Sequence, residues 1–541
     1  MIGDRTRRAA LATVVLAALV ALAYGRAPRG AFVFDDHELV VENPLVRESP
    51  GRPGALFGRD GEAAGFAYRP VRVLSYQVDH LLGGGLDPRV FHLSNLLWHL
   101  ATSVALFLLA RSMIGSDEAA LVAAAIFAVH PAGSEAVAYV SGRRDLLCGF
   151  FGLLALGAAW RLLSARASGT GHQRGAAVVA LACGLLALGS KETAIVLAPI
   201  AWLMTFVRPP DPAPRATSRA RVGALVAGAG ALAVAAALYR ERIGPIVARA
   251  GSSPIARQPA LTLRVLGRYL RLAAFPDDLR ADYRSGAFEL PREAFEPRTI
   301  AAGFAVSGVA VLGVALLRRG AVAGLGLLWF LVALLPVAQV VPYSEVVAEH
   351  NAYLPLAGLA LAAGDGYARV RRASGPRWRA AAALAVALLV AGFAFRTHRR
   401  VDDWHDEESL WRATLEVAPD SRRALHNLGA TLAAQGRLQA AVAPLERAHR
   451  ADPADVDVRR TLARVLTDVG EGARAVETAR PLTVEPGDGE SWNVLGWAQL
   501  ASGDSTSARA SFARARALGA VREADLGLRA AAARVGGAGP P

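Results

Sequence analysis

The sequence predicts an all-α protein, a polytopic bundle of about 11 membrane helices followed by a C-terminal α-solenoid of tetratricopeptide (TPR) repeats. Three observations predict it. Hydrophobic residues make up 53% of the 541 residues, with mean hydropathy +0.31, and they fall in long apolar runs. The arginines gather in the short stretches between those runs, as cytoplasmic loops require. After residue 397 the composition changes and proline recurs at Pro419, Pro453 and Pro486, at TPR spacing.

Apolar length places the spans near 9–27, 92–112, 119–140, 146–164, 175–189, 192–208, 222–239, 299–317, 321–341, 351–367 and 378–396. Residues 261–276 are apolar on one face only. Arg264, Arg268 and Arg271 make that segment an interfacial helix and not a crossing. With the N-terminus inside, the inner loops hold Arg111, the 166–174 stretch, Arg208 to Arg221, Arg318-Arg319 and Arg369 to Arg379. Counting 261–276 as a crossing would put Arg318-Arg319 outside and invert everything after it. Arg5, Arg7 and Arg8 precede the first run, which is read as an uncleaved span although Ala21-Leu22-Ala23 resembles a signal-peptidase site.

The net charge of +14 is therefore assigned to membrane topology, and no nucleic-acid partner is expected. Cys148 and Cys183 both lie in apolar runs, so no disulfide framework is readable. Lysine is nearly absent beside abundant Ala, Arg and Gly, which suggests a GC-rich bacterial genome and a bacterial cytoplasmic membrane.

Residues 1–397 are read as the membrane domain, with a first outer loop over 28–91 and a second large outer segment over 240–298. Residues 398–534 are read as the TPR domain. Leu425, Leu428-Gly429, Leu432, Ala441, Leu445 and Ala448 occupy TPR positions in its first full period. Trp492, Leu495-Gly496, Ala508, Phe512 and Ala515 repeat them in the third. The middle period keeps Leu462-Ala463, Leu466 and Ala475. Trp404 to Pro419 reads as a capping helix, and 535–541 as a disordered tail.

Charges at the ends of apolar runs are costly unless they have partners or work. By the topology above, four such clusters share the outer face: Asp35-Asp36, Arg143-Arg144-Asp145, Lys191-Glu192 and Glu349-His350. Lys191 is the one lysine in the chain. Two adjacent carboxylates near an apolar surface raise one another's pKa and can divide base and hydrogen-bonding roles. A divalent metal held by Asp35, Asp36 and His37, or a solvated turn, are the alternatives; no metal and no cofactor is indicated. Arg143, Arg144 and Lys191 suit the phosphate of a lipid carrier, with Asp145 or Glu192 holding either cation in place. The alternative is an ion pair between loops. His92, Asn95 and His99 share one helical face and read as polar packing between helices, with a metal site as the alternative; Arg69 lies upstream in Tyr-Arg-Pro-Val. Pro131 is expected to break the third span near Glu135.

Taken in order, these pieces resemble the transmembrane-and-TPR protein O-mannosyltransferases of the C-type glycosyltransferase superfamily, and their bacterial relatives. The matching residues are Phe34-Asp35-Asp36 with Asn43-Pro44, Tyr68-Arg69-Pro70, Phe91-His92 through Asn95 to His99, and Phe127 to Pro131 with Glu135-Ala136-Val137. They continue with Gly142-Arg143, Asp145-Leu146-Leu147, Ser190-Lys191-Glu192, Phe275-Pro276, Asp282-Tyr283, Leu335-Pro336, and Glu349 with Tyr353-Leu354-Pro355. The resemblance implies inverting transfer of a sugar from a polyprenyl-phosphate donor to a hydroxyl of an exported polypeptide, outside the cytoplasm. It implies a base in the first outer loop, here Asp35 or Asp36. Arg69, His92, Asp145, Glu192, Glu349 and His350 would support the site. Eukaryotic relatives usually show Glu-Arg where this chain has Glu349-His350, so a phosphate-facing cation becomes titratable here. The partners expected are the lipid-linked sugar, the acceptor, membrane lipid, and a peptide or protein on the TPR surface. A membrane-anchored TPR scaffold without catalysis, and a lipid-linked glycan polymerase or ligase, are the competing functions. A transporter is disfavoured, since no inverted repeat is evident.

Overall fold

The computed structural model describes residues 2–48, 69–164, 170–209, 223, 230, 259–283, 288, 290–291, 293, 295–340, 345–484 and 488–536. These fall into two compact units, Met1–Ala281 with Leu290–Asp406, and Asp282–Glu289 with Glu407–Pro541. The secondary-structure elements of the described residues are all helices in both units.

The first unit contains α1 (Ile2–Tyr24), α2 (Pro70–Leu82), α3 (Pro88–Ile114), α4 (Asp117–Val129), α5 (Ser134–Ala138), α6 (Arg143–Ser164) and α7 (Thr170–Ser190). It continues with α8 (Leu197–Met204), α9 (Pro259–Ala274), α10 (Pro297–Arg318), α11 (Val322–Leu334), α12 (Tyr353–Ala373) and α13 (Pro376–Asp403). Local chemistry fixes the ends. The Asp87 carboxylate accepts from Arg89 N ahead of α3, and Pro88 fits its first turn. Gly115 closes α3 at φ 74°, a left-handed conformation that glycine adopts freely. Ser116 then caps α4 by accepting from Ala119 N.

Among the described residues, six helices are long and apolar enough to cross a membrane. They are Thr6–Tyr24, Pro88–Ile114, Val140–Ser164, Gln173–Ser190, Pro297–Arg318 and Pro376–Asp403. A seventh crossing forms if Asp117–Val129 and Pro131–Ala138 are one span, bent by 57° at the expected proline. The expectation of 11 spans is thus met for six or seven. Two of the others appear as shorter apolar helices, Glu192–Met204 and Val322–Val337. The 351–367 segment lies in α12, whose charged residues Asp365, Arg369, Arg371 and Arg372 dilute its apolar character. The span expected at 222–239 lies outside the described residues, apart from isolated helical positions. Helix α9 covers the segment read as interfacial. It buries Leu261, Val265, Leu266, Tyr269 and Leu272, while Arg264 and Arg268 pair with Glu296 and Asp278.

Helices α3, α4, α6, α11 and α12 form the interior, with α3 on α4 and α6, and α12 on α4 and α11. Backbones nearly touch where α11 meets α12: a Cβ at Gly358 would stand 2.7 Å from the Gly326 carbonyl oxygen. Small residues at such crossings are how membrane helices gain packing energy. Helices α10 and α13 instead expose Phe304, Val311, Leu384, Leu388 and Phe395, as lipid-facing surfaces do.

The second unit contains α14 (Glu407–Val417), α15 (Arg422–Ala434), α16 (Leu438–Ala451), α17 (Val456–Asp468), α18 (Gly472–Ala479), α19 (Gly489–Ala501), α20 (Ser505–Ala517) and α21 (Val521–Gly536). Successive helices pack as hairpins. Gly429 and Gly496 are the close-approach positions, where a Cβ would lie 2.5 Å from Leu445 and 2.6 Å from Phe512. The degenerate middle repeat has a short second helix, α18, because Pro481 follows in a tighter turn. Two details differ from the sequence reading. Trp404 is not in the capping helix; it belongs to the first unit and stacks on Tyr139 with centroids 5.1 Å apart. Helix α21 was not foreseen. It runs to Gly536 and covers the last repeat with Ala524 and Ala531, leaving only 537–541 of the expected tail outside the described residues.

Candidate functional site

The site starts where the chain leaves α1. Phe34 has φ 53°, a left-handed backbone that costs an aromatic residue ~1–2 kcal/mol. That kink turns Asp36 inward, where its side chain is fully buried. One carboxylate oxygen accepts from Ser141 N at 2.7 Å and Ser141 Oγ at 2.6 Å, and the other from Val33 N at 3.1 Å. Burial pushes the Asp36 carboxyl up to about 7, against the pull of these donors, and Asp35 adds a little in the same direction. Asp35 is half-buried beside it.

Ser141 is held by helices distant in sequence. Asn95 of α3 donates to the carbonyls of Val137 (3.1 Å) and Tyr139 (2.9 Å). Tyr76 of α2 donates to that of Val140 at 3.2 Å. The backbone just before Ser141 is thereby fixed at three points, the carbonyls of Val137, Tyr139 and Val140.

Arg143 lies two residues beyond Ser141 and is also completely buried. It donates to Asp79 at 2.7 Å, to the Phe91 carbonyl at 2.8 Å, to Ser75 Oγ at 3.3 Å, and to Asn95 Oδ1. Lys191 is buried too, donating to Asp145 at 2.6 Å and Asn351 Oδ1 at 2.7 Å. Arg69 grips Glu192 through two nitrogens, at 3.1 and 2.8 Å. The nominated cations Arg143 and Lys191 therefore each already face a carboxylate.

Arg144 donates to His350 Nε2 at 3.0 Å. A guanidinium can only donate, so Nε2 accepts and the imidazole proton sits on Nδ1. Nδ1 then donates to Glu135 at 2.5 Å, while the His350 N–H donates to the same carboxylate at 3.0 Å. Burial, with the Arg144 charge beside it, pushes the imidazole well below its ordinary range. His350 is thus a neutral bridge in this geometry, not the titratable cation expected. Glu349 is fully buried, 3.4 Å from Arg400. His92 faces the Ala31 carbonyl at 3.4 Å.

Of the sequence-nominated residues, Asp36 is held by Ser141, two residues before Arg143, and Asp145 is paired with Lys191. Arg144, His350, Glu135 and Asp145 are neighbours in the same region. Among the described residues, no three His, Cys, Asp or Glu side chains are grouped to hold a metal ion.

Sequence reasoning missed Ser141, Asp79, Asn351 and Arg72. The first three are ordinary polar residues, and their value comes from long-range contacts. Arg72 had a local signal: it follows Arg69 by one helical turn, on the α2 face that also buries Val73, Tyr76 and Asp79. Arg72 is 1% exposed, and none of its three guanidinium nitrogens has a hydrogen-bond partner among the described residues. Burial pulls its pKa down to about 10, so it stays charged at neutral pH.

A tetratricopeptide-repeat family model matches residues 432–483. Protein O-mannosyl-transferase Tmtc1 of Drosophila melanogaster is 28% identical over 81% of this chain and 61% of its own length. Protein O-mannosyl-transferase TMTC4 of Homo sapiens is 27% identical over 80% of this chain and 65% of its own. Human Protein O-mannosyl-transferase TMTC1 is 25% identical over 87% of this chain and 59% of its own. The chain thus spans less than two thirds of the length of these curated relatives. With four fifths of its residues aligned and TPR repeats in its C-terminal unit, the chain is similar to these protein O-mannosyl-transferases.

Proposed function

We propose that this chain is a membrane glycosyltransferase that moves a sugar from a polyprenyl-phosphate donor to a Ser or Thr hydroxyl of an exported polypeptide. Transfer takes place on the outer face of a bacterial cytoplasmic membrane, with the N-terminus inside and the TPR unit outside. The observation that carries this reading is Asp36: a buried carboxylate near pKa 7, held in place by Ser141, in a cluster rich in cations. A general base works best when its pKa lies near the operating pH. The names of the relatives supply the reaction class.

In this mechanism the Asp36 carboxylate takes the proton from the acceptor hydroxyl. The hydroxyl oxygen forms its bond to the anomeric carbon from one side while the carbon–oxygen bond to the carrier phosphate breaks on the other. The electron pair leaves on the phosphate, and the anomeric configuration inverts. Buried cations stabilise the charge developing on that leaving group. Arg144 is the nominated cation assigned this role, since its carboxylate neighbour Asp145 stands at 3.5 Å, whereas Arg143 and Lys191 are matched by carboxylates at 2.7 and 2.6 Å. Asp35, half-buried beside Asp36, would orient the acceptor. Arg69, Glu192, Glu349 and His92 position the elements around them. The TPR unit would offer its concave surface to the acceptor or to an envelope partner.

The test is mass spectrometry of envelope proteins from a strain lacking this chain, complemented with wild type or with Asp36→Asn. Hexose on Ser or Thr peptides should return with wild type and stay absent with the variant. Full recovery of the modification by both Asp36→Asn and Asp35→Asn would remove the pair from the base role.

A further inference from the structure

Five cationic side chains are buried among the described residues: Arg69, Arg72, Arg143, Lys191 and Arg400. Four of them face a carboxylate, at 2.8 Å (Glu192), 2.7 Å (Asp79), 2.6 Å (Asp145) and 3.4 Å (Glu349) respectively. Arg72 is the exception. A guanidinium removed from water with no acceptor is among the most expensive groups a fold can hold. Such a group calls for an explanation, and an absent anion is the chemically simplest one.

The surroundings narrow the anion. The guanidinium is within electrostatic range of Arg69, Arg144 and Glu192, and Glu192 is already engaged by Arg69. Tyr76, one turn after Arg72, is in turn within electrostatic range of both Arg72 and Asp36. The buried cation and the buried carboxylate therefore both lie within electrostatic range of one aromatic side chain. An anion received at Arg72 would gain from two more guanidiniums without having to displace a carboxylate from Arg72. A planar guanidinium with all its donors unused matches the oxygens of a phosphate.

We infer that Arg72 receives the phosphate of the lipid-linked donor, with Arg144 beside it, while Arg143 and Lys191 hold the helices together. This rests on the transfer reading above and names which side chain of that site meets the carrier. It also accounts for the otherwise unfavourable burial of Arg72. The unliganded protein carries the cost of one unpaired charge, and binding relieves it.

The experiment uses the purified full-length chain in detergent. The probes are farnesyl phosphate, farnesol and inorganic phosphate at equal concentrations, with melting temperature and affinity as readouts. Wild type should be stabilised by farnesyl phosphate and not by farnesol or inorganic phosphate. Arg72→Met should bind farnesyl phosphate about 10- to 100-fold more weakly, the range expected for losing hydrogen bonds to a charged group. Without ligand it should melt no lower than wild type, because it removes an unpaired charge. Arg72→Lys, which keeps the charge but not the fork, should fall between them and serves if the Met variant fails to fold. Wild-type affinity in both variants would overturn the role of Arg72 and leave the transfer reading standing. Failure of farnesyl phosphate to stabilise wild type would overturn that reading as well. An equal, Arg72-dependent response to inorganic phosphate would overturn the lipid source.

Discussion

Ser141 holds Asp36 twice, through its backbone N–H at 2.7 Å and its hydroxyl at 2.6 Å, across a sequence separation of 105 residues. The two contacts fix the same carboxylate oxygen, so the Asp36 side chain has little freedom to turn. A base held this way needs no reorganisation when the acceptor arrives, which is where much of the benefit of a built site lies.

The pH dependence of transfer follows from Asp36. Its carboxyl is raised to about 7, chiefly by burial, and a base must be deprotonated to act. Activity should therefore fall as pH drops below about 7 and level off above it. Both Ser141 contacts pull the pKa down, so Ser141→Ala, which removes one of them, should move this limb to higher pH. A pH–rate profile of the two proteins checks the direction; an unchanged limb in Ser141→Ala would detach it from Asp36.

Arg143 should behave as a structural cation. Arg143→Met leaves Asp79 buried and unpaired, and breaking such a pair costs about 3–5 kcal/mol. Thermal unfolding in detergent should show a large drop, and adding Asp79→Asn should recover part of it. No recovery in the double variant would mean that Arg143 does more than neutralise Asp79.

Lys191 and Asp145 give a second pair to test in the same way. Lys191→Met should destabilise strongly, since Asp145 is only 6% exposed and keeps one oxygen without a hydrogen bond even in the intact pair. If Lys191 serves only the fold, Lys191→Met with Asp145→Asn should recover both melting temperature and transfer. Recovery of stability without transfer would return Lys191 to the phosphate.

In the TPR unit, Gly496 admits Phe512 so closely that a Cβ would lie 2.6 Å from the ring. Gly496→Val should therefore overpack the last repeat, with a loss of about 1–3 kcal/mol. The check is limited proteolysis around α19 and α20, where cleavage should become faster than in wild type.

The fold was legible where the signal is local. The arginine-flanked apolar runs gave the long helices α1, α3, α6, α7, α10 and α13, and the proline spacing gave the repeats. Pro131 announced its bend because a missing N–H is visible in one residue. Legibility failed where partners are remote. Arg143 stood out as a charge at the end of an apolar run, but Asp79, which neutralises it, lies 64 residues away on another helix. The same holds for Lys191 and Asn351, separated by 160 residues. His350 looked like a cation because a titratable residue gives no hint of its tautomer; the Arg144 donor decides that in space. Helix α21 is hard to read from sequence because its packed face is built mainly of small residues, Ala524, Gly527 and Ala531, with Leu528 its one large side chain there.

The most direct measurement is sugar transfer in vitro. Purified wild type and Asp36→Asn would be given a synthetic polyprenyl-phosphate sugar and a Ser/Thr-containing acceptor peptide. Wild type should glycosylate the peptide, and the variant should be slower by ~100- to 10,000-fold while melting as a folded protein. A folded Asp36→Asn protein that transfers sugar at the wild-type rate would contradict the account.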